Sequence, residues 1–165
     1  MSNNFTFRQA NLFDIPQLIQ WTKSLMKHEA LDGSIELPLN QNLDLHLQSW
    51  LESLITSSNA LLIVSLDEDN QYAGCILGLI QEVPNEFLRI NLHGVIQMIW
   101  VEPDKRRSGL AKNLVNDIEK LFLEMDIKYS EIGYSQSNVE AQKFWQKMNY
   151  TPVSITSRKI LSKID

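Results

Sequence analysis

Arg106, Arg107, Ser108, Gly109 and Lys112 fall close together in the chain, and as a group they could hold an anion. Upstream, Val95, Ile96, Met98, Ile99, Trp100 and Val101 form a β-branched and aromatic run that predicts a strand buried on both faces, ended by Pro103. Downstream, Leu110, Ala111, Leu114, Val115, Ile118, Leu121, Phe122 and Met125 recur at helical spacing, so a helix should begin near Ser108 or Gly109. The first turn of such a helix has N–H groups without intrahelical acceptors, and its macrodipole favours negative charge there. Gly109 brings no Cβ to hold a phosphate at a distance. Three cations at a helix start oppose the dipole, which makes sense with an anion between them. Taken singly, Lys105-Arg106-Arg107 is an ordinary solvated turn and Gly109 a conformational residue; the joint spacing favours the anion. Neither G-x-x-x-x-G-K-[ST] nor G-x-G-x-x-G occurs, which argues against a nucleotide triphosphatase or a dinucleotide dehydrogenase.

The elements that must position this group follow from periodicity and punctuation. A short strand is expected near residues 5–9, then a helix through Ile15, Leu18, Ile19, Thr22, Leu25 and Met26 started by Asp14. A polar loop through Gly33 and Pro38 leads to a second amphipathic helix carrying Leu43, Leu47, Trp50, Leu51 and Leu54. The segments 60–66 and 72–82 flank Asp67-Glu-Asp-Asn-Gln71 and predict an antiparallel hairpin. Strand 92–101, helix 109–126, strand 130–135, helix 138–148 and a last strand at 151–161 complete an α/β order. Strand, helix, strand over 92–135 implies a right-handed parallel crossover.

The 165 residues, with 44% hydrophobic content and no linker or repeat, suit one domain over 1–165. The longest apolar stretch, Ala60 to Leu66, is far shorter than the roughly 20 residues of a membrane span. Residues 1–15 carry no leader pattern, and Cys75, the lone cysteine, is expected as a buried small hydrophobe, so a cytoplasmic setting is expected. One cysteine excludes an internal disulfide and a cysteine-based zinc site; no metal is expected. A net charge of −5 disfavours nucleic acid as a partner and suits cationic amines.

Val101, Pro103, Arg106, Gly109 and Ala111 spell V-x-P-x-x-R-x-x-G-x-A, which resembles the acetyl-CoA pyrophosphate loop of the GNAT acetyltransferase superfamily. Phe7-Arg8-Gln9-Ala10 with Asp14-Ile15-Pro16 resembles that family's opening, and Asn138 to Tyr150 its second CoA motif, N-x-x-A-x-x-F-Y-x-x-x-G-F. The resemblance spans roughly residues 5 to 161. It implies a mixed, mostly antiparallel sheet with one parallel, splayed strand pair and flanking helices, and acetyl-CoA as acyl donor. It also implies that Ile99 and Val101 offer backbone contacts to the pantetheine arm, that Arg106, Arg107, Ser108, Gly109, Leu110, Ala111 and Lys112 enclose the diphosphate, and that Asn138 and Phe144 belong to the CoA wall. Ser137 and Glu140 satisfy S-x-x-E, so Ser137 is expected to cap the last helix and leave the Asn138 amide free, although a plain first-turn asparagine is equally consistent.

The implied reaction is direct attack of a small-molecule or peptide amine on the thioester in a ternary complex. A backbone N–H near Trp100 or Val101, exposed by a β-bulge, is the expected donor to the carbonyl oxygen. Gly133-Tyr-Ser-Gln-Ser137 lacks the closing glycine of a serine-hydrolase elbow, so no protein nucleophile is indicated. Two positions depart from the family pattern. Asn149 replaces a glycine, a mild change because asparagine tolerates left-handed backbone. Trp145 replaces the tyrosine commonly assigned as the acid for the departing thiolate, and an indole N–H cannot give up its proton at neutral pH. Tyr134 is then the expected acid; the alternative is a thiolate held by the Trp145 N–H and protonated by water. Glu82, His93 and Gln97 are the positions for a base or a water holder. The acceptor wall is expected at about residues 25–45, with Glu29, Asp32, Glu36 and Asp44, and at 83–92. The competing reading is a CoA-binding module with weak or lost catalysis. A homodimer, with the last strand pairing between chains, is left open.

Overall fold

The computed structural model describes residues 4–30, 39–83, 85 and 87–162. Four antiparallel or parallel ladders join five strands in sequence order: β1 (Thr6–Gln9), β2 (Ala60–Leu66), β3 (Tyr72–Glu82), β4 (Leu92–Val101) and β5 (Ser130–Ile132). The first three pairings are antiparallel and β4 with β5 is parallel, through Gly94–Ser130, Val95–Glu131 and Ile96–Ile132. Helices α1 (Ile15–Ala30) and α2 (Leu43–Thr56) cover one face; α3 (Leu110–Glu124) and α4 (Val139–Lys147) cover the other.

Alternation along the strands explains why there are two cores. Leu62, Val64, Cys75, Leu77 and Met98 pack with Leu18, Trp21, Leu51 and Leu54. Their neighbours Ile63, Ile76 and Ile96 pack with Leu114, Val115, Ile118 and Phe122. Successive side chains on a strand point to opposite faces, so a sheet covered on both sides reads as a continuous apolar run. Two close approaches fix how near α3 lies to the sheet. A Cβ on Gly94 would meet Phe122 at 2.6 Å, and one on Gly78 would meet Ile118 at 2.7 Å.

β4 contains an extra residue. Leu77 pairs with Met98 and Gly78 with Ile96, which leaves Gln97 as a bulge, and Ile96 and Met98 enter opposite cores although they are two residues apart. The bulge therefore lies at Gln97, earlier in β4 than the expected position near Trp100 and Val101, and it sits where β5 ends. From Gln97 to Val101 the edge of β4 that faces away from β3 has no ladder partner among the described residues. This is the splay between the parallel strands.

Several expectations are corrected. The chain enters α1 through a 3₁₀ turn, Leu12–Asp14, capped by Asn11 rather than started by Asp14. Asn11 Oδ1 accepts from the Phe13 N–H at 2.9 Å, and Asp14 Oδ2 accepts from the Asn11 N–H at 2.7 Å. Asp14 is fully buried and also accepts from both terminal guanidinium nitrogens of Arg8, Nη1 and Nη2, at 2.7 Å and from the Tyr72 hydroxyl at 2.6 Å. Met125 lies beyond the end of α3 and is exposed. β5 is shorter than 130–135, and residues 151–161 form no strand and are exposed throughout. A strand is defined by a partner as well as by its own residues, and this segment has no ladder partner. The loop through Gly33 and Pro38 lies outside the described residues.

Candidate active site

The splay, the start of α3 and the inner side of α4 enclose one cavity of about 600 Å³. That volume is in the range of small-molecule sites. Of the residues singled out from the sequence, Ile99, Trp100, Val101, Arg106, Arg107, Gly109, Leu110, Ala111, Lys112, Tyr134, Asn138, Phe144 and Trp145 all line it. Ser108 does not. Its hydroxyl donates to the Lys105 carbonyl at 2.6 Å and accepts from the Leu110 N–H at 3.3 Å, so it shapes the turn.

That turn is backbone-driven. Gly109 caps α3 with φ 86°, and Arg107 also takes a positive φ, 62°. Glycine adopts this region freely, whereas for arginine it costs of order 1–3 kcal/mol, the kind of local strain that clusters at binding sites. A Cβ on Gly109 would have nothing within 4 Å, so the space before the helix is open. Asn113 bonds back to Gly109, while the Ala111 and Lys112 N–H groups belong to the first turn, where intrahelical acceptors are lacking.

Charge is the second feature. Among the described residues, Lys105, Arg106, Arg107, Lys112, Lys143 and Lys147 line the cavity, against the single carboxylate of Glu140. Lys105 is committed to Asp67 at 2.8 Å and to Asp104 at 3.6 Å, which ties this loop to the β2–β3 turn. Among the described residues the other five make no ion pair. In a chain of net charge −5, a pocket with this excess of cations focuses a field that attracts an anion. Trp21, deep in the α1 face, donates its indole N–H to Glu102 at 2.6 Å and so anchors the exit of β4. Among the described residues the buried Trp100 indole nitrogen has no hydrogen-bond partner.

Asn138, not Ser137, caps α4. Its Oδ1 accepts from the Ala141 N–H at 2.9 Å, while Ser137 and Ser135 share a hydroxyl bond of 2.7 Å. Asparagine outcompetes the S-x-x-E signature one residue earlier, and only the amide NH₂ of Asn138 stays available. Trp145 is 5% exposed and packs edge-on against both Phe144 and Tyr150. Tyr150 donates to Glu119 at 2.9 Å and lies 2.7 Å from Ser130 Oγ; burial pushes its pKa up to about 12. Tyr134 lines the cavity and its hydroxyl makes no hydrogen bond among the described residues. Asn149 takes φ 65°, the left-handed conformation its type allows.

Of the three positions for a base, Gln97 alone lines the cavity. His93 is buried and stacked on Tyr129 at 5.4 Å, and Glu82 is exposed at the far end of β3. Asp44 pairs with Lys23 outside the cavity, and Asp32 and Glu36 lie outside the described residues. On the α1 side the cavity is lined by Leu25 and His28, both within the expected 25–45 wall, together with Met98 of β4. His28, Lys143 and Lys147 carried no local signal in the sequence; what brings them together is the packing of α1 and α4 on opposite faces of the splay.

The family model described as the acetyltransferase (GNAT) family matches residues 22–150, and the chain belongs to that family. Its members are acyltransferases that use acetyl-CoA as donor. No curated protein matches the chain. Among solved structures, the fold is shared with the BH1408 protein of Bacillus halodurans, a tetramutant of which is 15% identical with a TM-score of 0.78, covering 94% of this chain and 99% of that one. It is also shared with a predicted acetyltransferase with acetyl-CoA from Clostridium acetobutylicum, at 16% identity and TM-score 0.77 over 96% of this chain and 97% of that one. A third is the aminoglycoside 6'-N-acetyltransferase AAC(6')-Ih of Acinetobacter baumannii, at 16% identity and TM-score 0.70 over 95% and 99%.

Proposed function

We propose that this chain transfers the acetyl group of acetyl-CoA to a primary amine of a small molecule or peptide, by direct attack in a ternary complex. The observation that carries the reading is the meeting, in one cavity, of the β4 edge over 97–101, which has no ladder partner among the described residues, with five cations that make no ion pair there. The residues present fit the donor. Arg106, Arg107 and Lys112 with the open first turn of α3 hold the diphosphate, assisted by the N–H groups of Gly109, Ala111 and Lys112, while the Leu110 N–H is held by Ser108. The outward backbone groups of Ile99 and Val101 pair with the amides of the arm, the Val101 carbonyl once Arg106 Nε releases it. Phe144 and the Asn138 amide complete the opposite wall, and Lys143 and Lys147 add charge on the α4 side.

The donor supplies a thioester carbonyl. The amine nitrogen adds its lone pair to that carbon, the C–S bond breaks, and the sulfur leaves as thiolate. A backbone N–H on the unpaired edge at Gln97 to Val101 stabilises the oxygen as charge develops on it. Gln97 and His28 hold the water that takes the ammonium proton. Tyr134, the unbonded phenol of the cavity, gives a proton to the sulfur, with the Trp145 indole as a hydrogen-bond donor beside it. The other reading, a module that binds acetyl-CoA with little turnover, rests on Trp145 standing at the family's usual tyrosine. A panel of primary amines with acetyl-CoA, followed by free-thiol release, decides between them. Thiol release matched by acetylated amine supports the transferase, and binding without release favours the module.

A further inference from the structure

The turn between β4 and α3 is fastened at two points to the hairpin of β2 and β3. Glu102, where the chain leaves β4, donates its N–H to the Ala73 carbonyl at 2.9 Å. Lys105, three residues on, places Nζ 2.8 Å from Asp67 Oδ2. The hairpin is shaped for both contacts. Ser65 pairs with Gly74 and Leu66 with Tyr72, so Ala73 is an extra residue that bends the start of β3. Asp67 is itself held in place, because Oδ1 accepts from the N–H groups of Asp69 and Gln71 at 3.0 Å and 2.9 Å, and its own N–H donates to the Gln71 carbonyl at 2.9 Å. Lys105, Arg106 and Arg107 are among the described residues that line the cavity, and Asp67 is not.

We infer that Asp67 is a positioning residue for the donor: through Lys105 it holds the turn in the conformation that presents Arg106 and Arg107 to the phosphates of acetyl-CoA. The inference rests on the acetyl-CoA reading of the cavity and deepens it. Arg107 needs such a restraint. Its φ of 62° is unfavourable for a residue with a Cβ and persists only where the surrounding structure fixes it. Lys105 carries two fixings at once, its amine on Asp67 and its carbonyl on the Ser108 hydroxyl at 2.6 Å, so the strained residue lies between them. Asp104, 3.6 Å from the same amine, belongs to the turn and does not tie it to the sheet. The Asp67 and Lys105 side chains are 13% and 27% exposed, which leaves the pair less open to screening than a surface bridge. Charge and position make opposite predictions here. By charge alone, removing the Asp67 carboxylate frees a cation beside an anion site and tightens binding. By position, it loosens the turn and weakens binding.

The test is calorimetric titration of acetyl-CoA into wild type, Asp67→Asn, Lys105→Met and the double variant, all in the full-length chain. Asp67→Asn keeps an acceptor oxygen for Asp69 and Gln71, so the hairpin turn stays formed. It should bind acetyl-CoA about fivefold more weakly in spite of its added positive charge, and the double variant should bind no more weakly than the weaker single one, the non-additivity of groups that act as a unit. Asp67→Glu, which keeps a carboxylate within reach of Lys105, should recover most of the loss. Hydrogen exchange in Asp67→Asn should rise over residues 105–110 and not in α1 or α2, which separates loosening of this turn from general destabilisation. A wild type that binds no acetyl-CoA would remove the donor site and the inference together. Wild-type binding with equal or tighter binding by Asp67→Asn, additive losses in the double variant, or exchange raised throughout the chain would overturn the inference and leave the donor site standing.

Discussion

The Arg106 guanidinium lies 5.1 Å from the centre of the Trp100 ring while its Nε donates to the Val101 carbonyl at 3.2 Å. The arginine therefore covers backbone that this edge of β4 would otherwise offer to the donor. Binding of acetyl-CoA should draw Arg106 off the indole, because a phosphate is a stronger partner than a ring face at an exposed site, where the latter is worth about 0.5–1 kcal/mol. Titration of wild type with acetyl-CoA should change the tryptophan emission, and Trp100→Phe should remove most of that change while still binding. An equal change in the variant would show that Arg106 does not move.

Asn138 offers a way to separate capping from recognition. Asn138→Ala removes the bond to Ala141 and should cost about 1 kcal/mol of stability. Asn138→Asp keeps the acceptor oxygen, so urea unfolding should stay near wild type, but it replaces the amide NH₂ by charge. Its affinity for acetyl-CoA should fall at least about tenfold, the loss of one hydrogen bond plus repulsion of an anion. Wild-type affinity in Asn138→Asp would reduce this residue to a cap.

Tyr134→Phe should lower turnover at least about tenfold, within the range for a lost general acid, while acetyl-CoA affinity stays within twofold. The Tyr150 phenol is no substitute, since its hydroxyl is held by Glu119 and Ser130 and its pKa is raised to about 12. An unchanged rate in Tyr134→Phe would leave protonation of the thiolate to water.

Asp14 sets the acid limit of the fold. Burial alone would raise its pKa, but hydrogen bonds from Arg8, Tyr72 and Asn11 outweigh it and hold the carboxyl below the usual range. A depressed folded pKa contributes stability that is present above the unfolded value, ~3.9, and lost as pH falls through the folded value. Chemical unfolding from pH 6 to 2 should therefore show a loss below about pH 4 that Asp14→Asn flattens. At pH 7 that variant should be less stable by about 2–3 kcal/mol, below the ~3–5 kcal/mol of a fully buried broken pair because the Arg8 side chain is 39% exposed and screened. An undiminished acid limb would place the titrating group elsewhere.

Much of this architecture was legible in the chain because its signals are local. β2, β3 and β4 follow the expected 60–66, 72–82 and 92–101, since a polar turn or a proline bounds each run. The group at 106–112 was legible because glycine, arginine and a helix start are contiguous. What was misplaced depended on competition or distance. Ser137 and Asn138 both offer a cap, and the helix takes the second while Ser137 bonds Ser135. Residues 151–161 look like a strand, but a strand exists only with a partner. His28 and Lys147 lie far apart in sequence and converge only because β4 and β5 part at Gln97. His93 looked available on β4 and is instead packed under Tyr129.

The central claim is that the cationic turn before α3 holds the donor's phosphates. Calorimetric titration with acetyl-CoA at rising salt, for wild type and for Arg106→Ala/Arg107→Ala, tests it most directly. The double variant should bind at least about tenfold more weakly at low salt, and its affinity should fall less steeply as salt rises, because the screened part of the attraction has been removed. Equal affinity and an equal salt slope in the two proteins would contradict the account.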